Sequence, residues 1–509
     1  MWISTRSRSQ EIDQRAESEF GLSTPFLMEK AGMAVYEAIA EMLPETGRLA
    51  VFCGRGNNGG DGFVSARAAH ENGYQVECIV AGLETELSKD SAEQMMIARS
   101  SGVNITFSDD PRFPRRLECL SCRELIVDAL LGTGLKKPVH GIIRDAIQAI
   151  NRSGVPVLSI DCPSGIDCDT GEELGESVWA LRTITLGTPK PFLFQGIGLE
   201  HSGYWSVANI GLPNALADEP TNAKLMEANW VANLLPERLR QSNKGDNGTV
   251  LIVAGSKAMP GSAIMATLAA MRSGAGLVMV AAIPCVCDRV TQRVPEAIFI
   301  PLPEKDGVIS PDAAEEILAV QSRVDSAIFG PGLSHKPHLV DLLRKVWPQW
   351  EKPCVIDADA LNMISAGLEP PKCECVFTPH PGEMSRLMKV SIAEIQSDRF
   401  QTMEMATKKY GTCILLKGAH TLVGEPDQPI LVNATGNSGM AAGGMGDVLS
   451  GVIGTLLAQE LPPYYAASCG VYWHGEAGDL CAEEIGSIGF TAAEVADHLP
   501  GARSRITEC

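Results

Sequence analysis

Two α/β domains of different kinds are predicted, and three observations predict them. The chain has 509 residues, too many for one core when a domain typically takes roughly 100–200. Short β-branched runs alternate with amphipathic stretches through both halves, the pattern of βαβ units and mostly parallel sheets. Between the halves, the segment LPNALADEPTNAKLMEAN within 211–229 carries Pro, Asn and charge without an apolar period, so a linker is placed there. No internal repeat relates the two sides, and the expected domains are 1–220 and 228–509.

In the first half the expected strands are Arg48–Cys53, Gln75–Val80, 125–130, 155–160 and 183–186. The expected helices are 25–42, 61–72, 88–101 and 142–151. In the second half the strands are 250–254, Leu277–Ala282, 327–330, 354–357, 374–378 and 413–417, with closing helices at 444–459 and Pro463–Glu484.

Composition narrows the function classes. With 45% hydrophobic and 20% charged residues the chain is globular, and its 50 glycines follow no three-residue period, which excludes collagen. The formal charge of −20 repels nucleic acid and anionic membranes, so neither is an expected partner. It does not exclude an anionic small ligand, because N–H groups at helix starts bind phosphate without lysines. Fifteen scattered cysteines read as free thiols in a reducing compartment. Cys285-Val-Cys287 and Cys373-Glu-Cys375 have one-residue spacing and no nearby His cluster, which argues against zinc at either pair. Arg6 and Arg8 are followed by no apolar signal segment, and Pro284 interrupts the longest apolar run, so the cytoplasm is the expected location.

The first chemical signal follows strand Arg48–Cys53. Gly54, Gly56 and Gly59 satisfy G-x-G-x-x-G in a strand–loop–helix setting that suits a pyrophosphate. A redox dinucleotide domain should also end its next strand in a carboxylate, but that strand ends Ile79-Val80-Ala81-Gly82. Asn57, Asn58 and Asp61 add side chains that a simple pyrophosphate loop does not need; the alternative is a Gly/Asn turn with Asp61 as helix cap. Two further strand ends carry Asp128 with Gly132-Thr133-Gly134, and Asp161 with Ser164. In a parallel sheet these ends share one edge, where Asn58, Asp128, Asp161 and Ser164 converge. Their oxygens suit a hard cation.

The set GNNGGDG, VDALLGTGL and DCPSG, in this order over about the first 215 residues, resembles the NAD(P)H-hydrate epimerase family. The resemblance implies a Rossmann-like three-layer fold that interconverts the epimers of hydrated NADH and NADPH. It implies substrate contacts at Asn57, Asn58, Gly59, Gly60, Asp61, Gly132, Thr133, Gly134, Leu135, Lys136, Lys137, Pro138 and Asp161, with Asp161 taken as the acid/base group. It implies K⁺ held by Asn58, Asp128 and Ser164. The Lys136-Lys137 pair departs from the family pattern and is read either as steering phosphates or as solvated.

The strongest local signal in the second half is Gly443-Gly444-Met445-Gly446-Asp447 at the start of a helix. Successive glycines there expose N–H groups as an anion hole. An Asp at that mouth repels phosphate and is suited to take a proton from a hydroxyl attacking phosphorus. Other strand ends carry Lys417 with Gly418, Ala419, His420 and Thr421; His380 within TPHPGE; Asp357 and Asp359; and Gly330-Pro331-Gly332. The two Asp residues are read either as organising Mg²⁺ or as a helix cap. No G-x-x-x-x-G-K-[ST] occurs, which excludes a P-loop enzyme.

From Pro236 onward, KGDNG, GPGL, DADALN, TPHPGE, LKGAHT and GGMGDVLSG resemble the ribokinase-like ADP/ATP-dependent NAD(P)H-hydrate dehydratases. The resemblance implies that Ala263, Gly332, His380 and Asp447 contact the hydrated nucleotide, with Asp447 catalytic. It implies that Lys417, Gly418, Ala419, His420, Thr421 and Gly446 contact ADP or ATP, which arrives with Mg²⁺. Ser334 and His420 depart from the family pattern. Together the two resemblances imply one polypeptide that epimerises R and S forms and dehydrates the S form, releasing AMP (or ADP) and phosphate. The rival is a ribokinase-like small-molecule kinase with a regulatory nucleotide-binding first domain, which would release a stable phosphorylated product. The preference for ADP or ATP and assembly into a homo-oligomer are not encoded in any spacing here.

Overall fold

A computed structural model of the chain describes residues 1–44 and 46–508. The fold divides into two compact units, Met1–Ala223 and Lys224–Cys509. Each has its own sheet.

The first unit holds a seven-stranded sheet in the order Asn104–Phe107, Gln75–Val80, Arg48–Cys53, Leu125–Ala129, Val157–Ile160, Arg182–Leu186, Tyr204–Ala208. All its pairings are parallel. Strands Arg48–Cys53 and Gln75–Val80 occupy the expected residues; buried apolar side chains fill both faces of the first, while in the second the buried Glu77 pairs with Arg116 and Arg123. Helices Thr24–Met42, Asn57–Glu71 and Lys89–Ser100 cover one face over Val51, Phe63 and Val127. Helix Gly141–Arg152 covers the other over Phe52, Ile126 and Ile147. Strand order reverses between Arg48–Cys53 and Leu125–Ala129, and the crevice beyond their C-terminal ends is where such sheets bind ligands.

The second unit's sheet runs Ile298–Pro301, Leu277–Ala282, Thr249–Val253, Ser326–Phe329, Cys354–Ile356, Cys375–Phe377, Cys413–Leu416, Leu422–Gly424, Ile430–Val432 and Ala223–Leu225. The first seven pair in parallel. A meander, Leu422–Gly424 and Ile430–Val432, continues them antiparallel. Helix Met445–Ala458 buries every apolar side chain it carries, Pro463–Glu484 most of its own, and Pro260–Arg272 its alanines and Leu268. The switch point lies between Thr249–Val253 and Ser326–Phe329, where the Gly255 N–H donates to the Pro331 carbonyl at 2.8 Å.

Several expected boundaries move for physical reasons. The helix expected from Asp61 starts at Asn57, so Asp61 lies inside it and is not its cap. The strand expected from residue 155 starts at Val157, since Pro156 has no N–H and joins the ladder only through its carbonyl, to Ile126. The linker region contains a short helix, Asn214–Ala217, and the edge strand Ala223–Leu225. The N-terminal helix Arg6–Phe20 went unread because it buries only Ile12 and Ala16; Thr5 caps its start and Gly21, at φ 70°, its end. Every cysteine among the described residues is a free thiol. No helix among them is long and apolar enough to cross a membrane.

Candidate active sites

The first site is a cleft of about 770 Å³ at the switch point of the first unit. Its G-x-G-x-x-G glycines divide their work. A Cβ on Gly54 would stand 1.7 Å from the Leu130 carbonyl, and one on Gly59 would stand 2.2 Å from that of Gly54. Those two therefore let the strand, loop and helix close up, whereas Gly56 meets nothing within 4 Å and opens helix Asn57–Glu71 toward the cleft.

Asn57, Asn58, Asp61, Gly132, Thr133, Gly134, Leu135, Lys136, Lys137 and Asp161 all line this cleft. Gly59 and Gly60 are buried behind it. Pro138 is outside the lining, its carbonyl 3.0 Å from His140 Nδ1. Arg6 braces the 132–137 loop from the N-terminal helix, donating to the Thr133 carbonyl at 2.6 Å and to Asp167 at 2.8 Å.

Lys190 and Asp13 went unread in the sequence, and both line the cleft. The Lys190 side chain, 2% exposed, donates to Asp161 Oδ1 at 2.5 Å, Thr185 Oγ1 at 3.0 Å and the Leu186 carbonyl at 2.7 Å. Asp161 also accepts from the Leu186 N–H at 3.1 Å, and its backbone stands at φ 66°, a left-handed position that costs a non-glycine residue energy. Burial pushes Asp13 up to about 6, with Asp161 adding to the rise and Lys190 opposing it. Burial, then Asp161 and Asp13, hold Asp61 well above the carboxylate range. One lysine thus faces Asp161 and Asp13, and the neighbouring Asp61 is biased toward the neutral form. The only signal for Lys190 was its place in Thr188-Pro189-Lys190 just beyond a strand end.

Asp128 is fully buried beneath this edge. Its carboxylate accepts from Ser164 Oγ at 2.6 Å, the Ser164 N–H at 2.8 Å and Ser159 Oγ at 2.9 Å. Burial raises its pKa against those bonds, and no ion pair reaches it among the described residues. Asn58 packs beside Gly132, and its buried Nδ2 has no hydrogen-bond partner among the described residues. A buried carboxylate without a countercharge, a hydroxyl and an amide make an oxygen-rich donor set that fits a hard monovalent cation.

In the second unit, five loops meet around Lys417. Its Nζ donates to Asp357 Oδ1 at 2.8 Å, and Asp357 Oδ2 accepts from Ser450 Oγ at 2.8 Å. A Cβ on Gly446 would lie 3.1 Å from that Nζ, so the glycine lets the helix Met445–Ala458 start directly against the lysine. Gly444, at φ 92°, is the N-cap residue and leaves the first N–H groups without a side-chain cap. Burial pushes Asp447 up to about 6, aided by Asp357 and opposed by a hydrogen bond from Ser262 and by Lys417. Ser262 and Ala263 sit together on helix Pro260–Arg272, and a Cβ on Gly332 would touch Ser262 at 2.8 Å. Ala263, Gly332 and Asp447 therefore share one wall.

His380 caps helix Pro381–Met388, its N–H bonded to Glu383 at 2.9 Å. Burial, Lys417 and Arg386 lower its pKa, so the ring is neutral near pH 7. Burial lowers Lys417 as well, but Asp357, Glu383 and Asp447 outweigh this and keep it charged. Asp359 accepts from the Ser334 N–H at 2.7 Å, which makes it a loop brace as well as a carboxylate near Asp447. Together Asp357, Asp359, Glu383 and Asp447 exceed the charge of Lys417, an excess that fits a cation arriving with a phosphate chain. Ala419 and His420 follow on the same loop, where the buried Arg399 donates to the Ala419 carbonyl at 2.5 Å. His420 sits at φ 52°, and burial and Arg399 push its pKa down to about 4. Thr421 Oγ1 donates to the Gly418 carbonyl at 3.0 Å, which shapes the loop from within. Arg399 and Ser262 were invisible to motif reading because each acts on the site from a helix outside the motifs, whereas Glu383 closes the TPHPGE motif itself.

Known proteins share both halves. A family described as YjeF-related protein N-terminus matches residues 25–192, and one described as NAD(P)H-hydrate dehydratase matches 250–501. A bifunctional NAD(P)H-hydrate repair enzyme of Moorella thermoacetica is 36% identical over 98% of this chain and 96% of its own length. Proteins of the same description from Coxiella burnetii and Escherichia coli are 38% and 36% identical over 96% and 95% of this chain, and 96% and 90% of theirs. Among solved structures, the ADP/ATP-dependent NAD(P)H-hydrate dehydratase of Bacillus subtilis, co-crystallised with ATP/Mg²⁺, superposes with a TM-score of 0.50 at 31% identity. It covers 55% of this chain and 97% of that one. A ribokinase-like superfamily protein of Enterococcus faecalis gives 0.51 at 26% identity, covering 57% and 98%.

Proposed function

The chain belongs to the family of bifunctional NAD(P)H-hydrate repair enzymes, an epimerase joined to an ADP/ATP-dependent dehydratase, and from that premise we propose how its residues carry out the two steps. In the first unit the observation that carries the reading is the buried Lys190–Asp161 pair in the cleft. The hydrated nicotinamide ring bears a hydroxyl on C6. Asp161 takes the hydroxyl proton, the C6–N1 bond breaks, a carbonyl forms at C6, and N1 takes a proton. Rotation and reclosure on the other face give the second epimer. Lys190 holds the carboxylate in place, and Asp161 passes the proton on to N1. Helix Asn57–Glu71 and Lys136-Lys137 receive the pyrophosphate, while neutral Asp61 presents a donor where a charged one would repel it. Asn58, Asp128 and Ser164 would hold K⁺, which would supply the countercharge that Asp128 lacks.

In the second unit the carrying observation is Asp447 at the mouth of the glycine-rich helix start, beside Lys417. Asp447 takes the proton of the S hydroxyl as its oxygen attacks the terminal phosphorus of ADP or ATP, and the bridging P–O bond breaks to release AMP or ADP. The Gly443–Gly446 N–H groups and Lys417 receive the transferred phosphoryl charge. Asp357 and Asp359 would hold Mg²⁺ with the nucleotide, and the ion would supply positive charge to the phosphate chain. Phosphate then leaves C6 with the bonding pair, C5 gives up a proton, and the C5–C6 double bond of the dihydronicotinamide is restored. Neutral His380 and the Gly332–Ala263 wall position the ring. Free thiols and an acidic surface suit a reducing, cytoplasmic setting.

Incubating the full chain with S-NADHX, Mg²⁺ and ADP or ATP is expected to restore the near-ultraviolet absorbance of NADH with stoichiometric free phosphate. A stable phosphorylated product in place of NADH would favour the kinase reading and overturn this one.

A further inference from the structure

The second unit holds a cluster that neither proposed step uses. Cys354 begins strand Cys354–Ile356, Cys375 begins the neighbouring parallel strand, and their register places them directly opposite each other. Cys373, two residues earlier, turns back onto the pair. The three sulfurs form a nearly regular triangle, with edges of 3.5 Å (Cys354–Cys375), 3.7 Å (Cys354–Cys373) and 3.9 Å (Cys373–Cys375). Tetrahedral ligation at Zn–S distances of about 2.3 Å puts ligand sulfurs about 3.8 Å apart, whereas a disulfide would need about 2.05 Å. Linear spacing hid this group, because the third ligand comes from another strand.

We propose that Cys354, Cys373 and Cys375 form a three-thiolate site for one soft, thiolate-seeking cation, with Zn²⁺ as the fitting probe. Its fourth position is left to water on the side of Cys373, which is only half-buried while the other two are buried. The surroundings favour a cation: Glu374 lies between two of the ligands, and Glu425 is close enough to Glu374 for the two carboxyls to repel. The site lies at the N-terminal ends of these strands. Asp357 and Thr378, which lead into the catalytic loops, follow their C-terminal ends. A cation here would therefore clip the 366–374 connection to the sheet base and fix strand register without touching substrate. This role is independent of the repair chemistry.

The test uses the reduced full chain, stripped of metal with a chelator. Titration with Cd²⁺ is expected to raise a thiolate-to-metal charge-transfer band that saturates at one equivalent and is displaced by Zn²⁺. Alkylation with and without Zn²⁺, read by peptide mass, is expected to protect Cys354, Cys373 and Cys375 together. Cys373→Ser should abolish the band while leaving the circular dichroism spectrum and repair rate unchanged; Cys285→Ser should leave the band intact. Absence of the band, protection of other cysteines, or a band surviving Cys373→Ser would each overturn the proposal and leave three packed thiols. The alkylation pattern comes from the unmodified chain, so a misfolded variant does not decide the matter.

Discussion

Replacing Lys190 with Met tests the first site most sharply. The side chain is 2% exposed and its partner Asp161 13%, which places the pair in the buried regime rather than among surface bridges worth 0–1 kcal/mol. Met fills most of the volume but removes the charge and three hydrogen bonds, to Asp161, Thr185 and the Leu186 carbonyl. Breaking a buried pair on one side costs about 3–5 kcal/mol, because the remaining carboxylate is left uncompensated. Unfolding of the full chain in urea, followed through the transition that ADP leaves unmoved, should show that loss. Asp13 adds a pH signature. Its pKa, already about 6 through burial and Asp161, rises further once Lys190 no longer opposes it. A carboxyl raised above its unfolded value favours the fold below that unfolded value and loses the benefit as pH climbs through the folded one. The deficit of Lys190→Met should therefore be smaller near pH 5 than near pH 8. Interconversion of R and S epimers, followed by chromatography, should fall by about 10²–10⁴-fold. Adding Asp161→Asn should recover part of the stability but none of the activity. Wild-type stability and epimerisation in Lys190→Met would refute the assignment of this pair.

Asp447→Asn should lower NADH regeneration by about 10²–10⁴-fold while R/S interconversion continues at the wild-type rate, and parallel loss of both would refute separate sites. With Asp447 held at about 6, dehydration kcat/KM should rise with pH through that value and then level off; a flat profile from pH 5 to 8 would count against it as the base. Gly446→Ala puts a methyl 3.1 Å from Lys417 Nζ, so it should weaken nucleotide use at least tenfold in kcat/KM, whereas an unchanged value would detach Gly446 from the site. Ser334 stands at φ 84°, so Ser334→Gly should stabilise the second unit by about 1 kcal/mol in urea unfolding, and a loss of stability would show that its side chain matters more than its backbone.

The sequence displayed what is local and periodic. Strands such as Arg48–Cys53 are apolar on both faces after the first residue, and helix Pro463–Glu484 runs unbroken between Pro462 and its end, so both were legible to the residue. Edge strands were not: Asn104–Phe107 has four residues and an exposed start, too little to separate from a loop. Motif loops placed most candidate residues on the correct sheet edges, since strand–loop–helix grammar survives in one dimension. What it hid came from elsewhere in the chain. Asp13 sits on a polar helix, Lys190 beyond a later strand, and Arg399 on a helix behind the loop it supports. Each reaches its site only through tertiary packing, which a spacing rule does not encode. Cys354 failed to join Cys373 and Cys375 for the same reason.

The formal charge of −20 sits uneasily with a dinucleotide substrate until the two sites are compared. Each centres on one lysine faced by several carboxyls: the buried Lys190 by Asp13 and Asp161, and the half-buried Lys417 by Asp357, Glu383 and Asp447. A full set of ionised carboxylates would repel phosphate, but burial moves Asp13, Glu383 and Asp447 up to about 6 and Asp61 higher still. Burial thus removes the charge of Asp61 and leaves Asp13, Glu383 and Asp447 ionised but ready to take a proton when a phosphate approaches. Phosphate is left to helix N–H groups at Gly56 and Gly444, which carry no side chain to compete. The raised carboxyls then have a second use, since a group poised near neutrality can both take and return a proton. Acidity and anion binding are reconciled by the same burial that creates the bases.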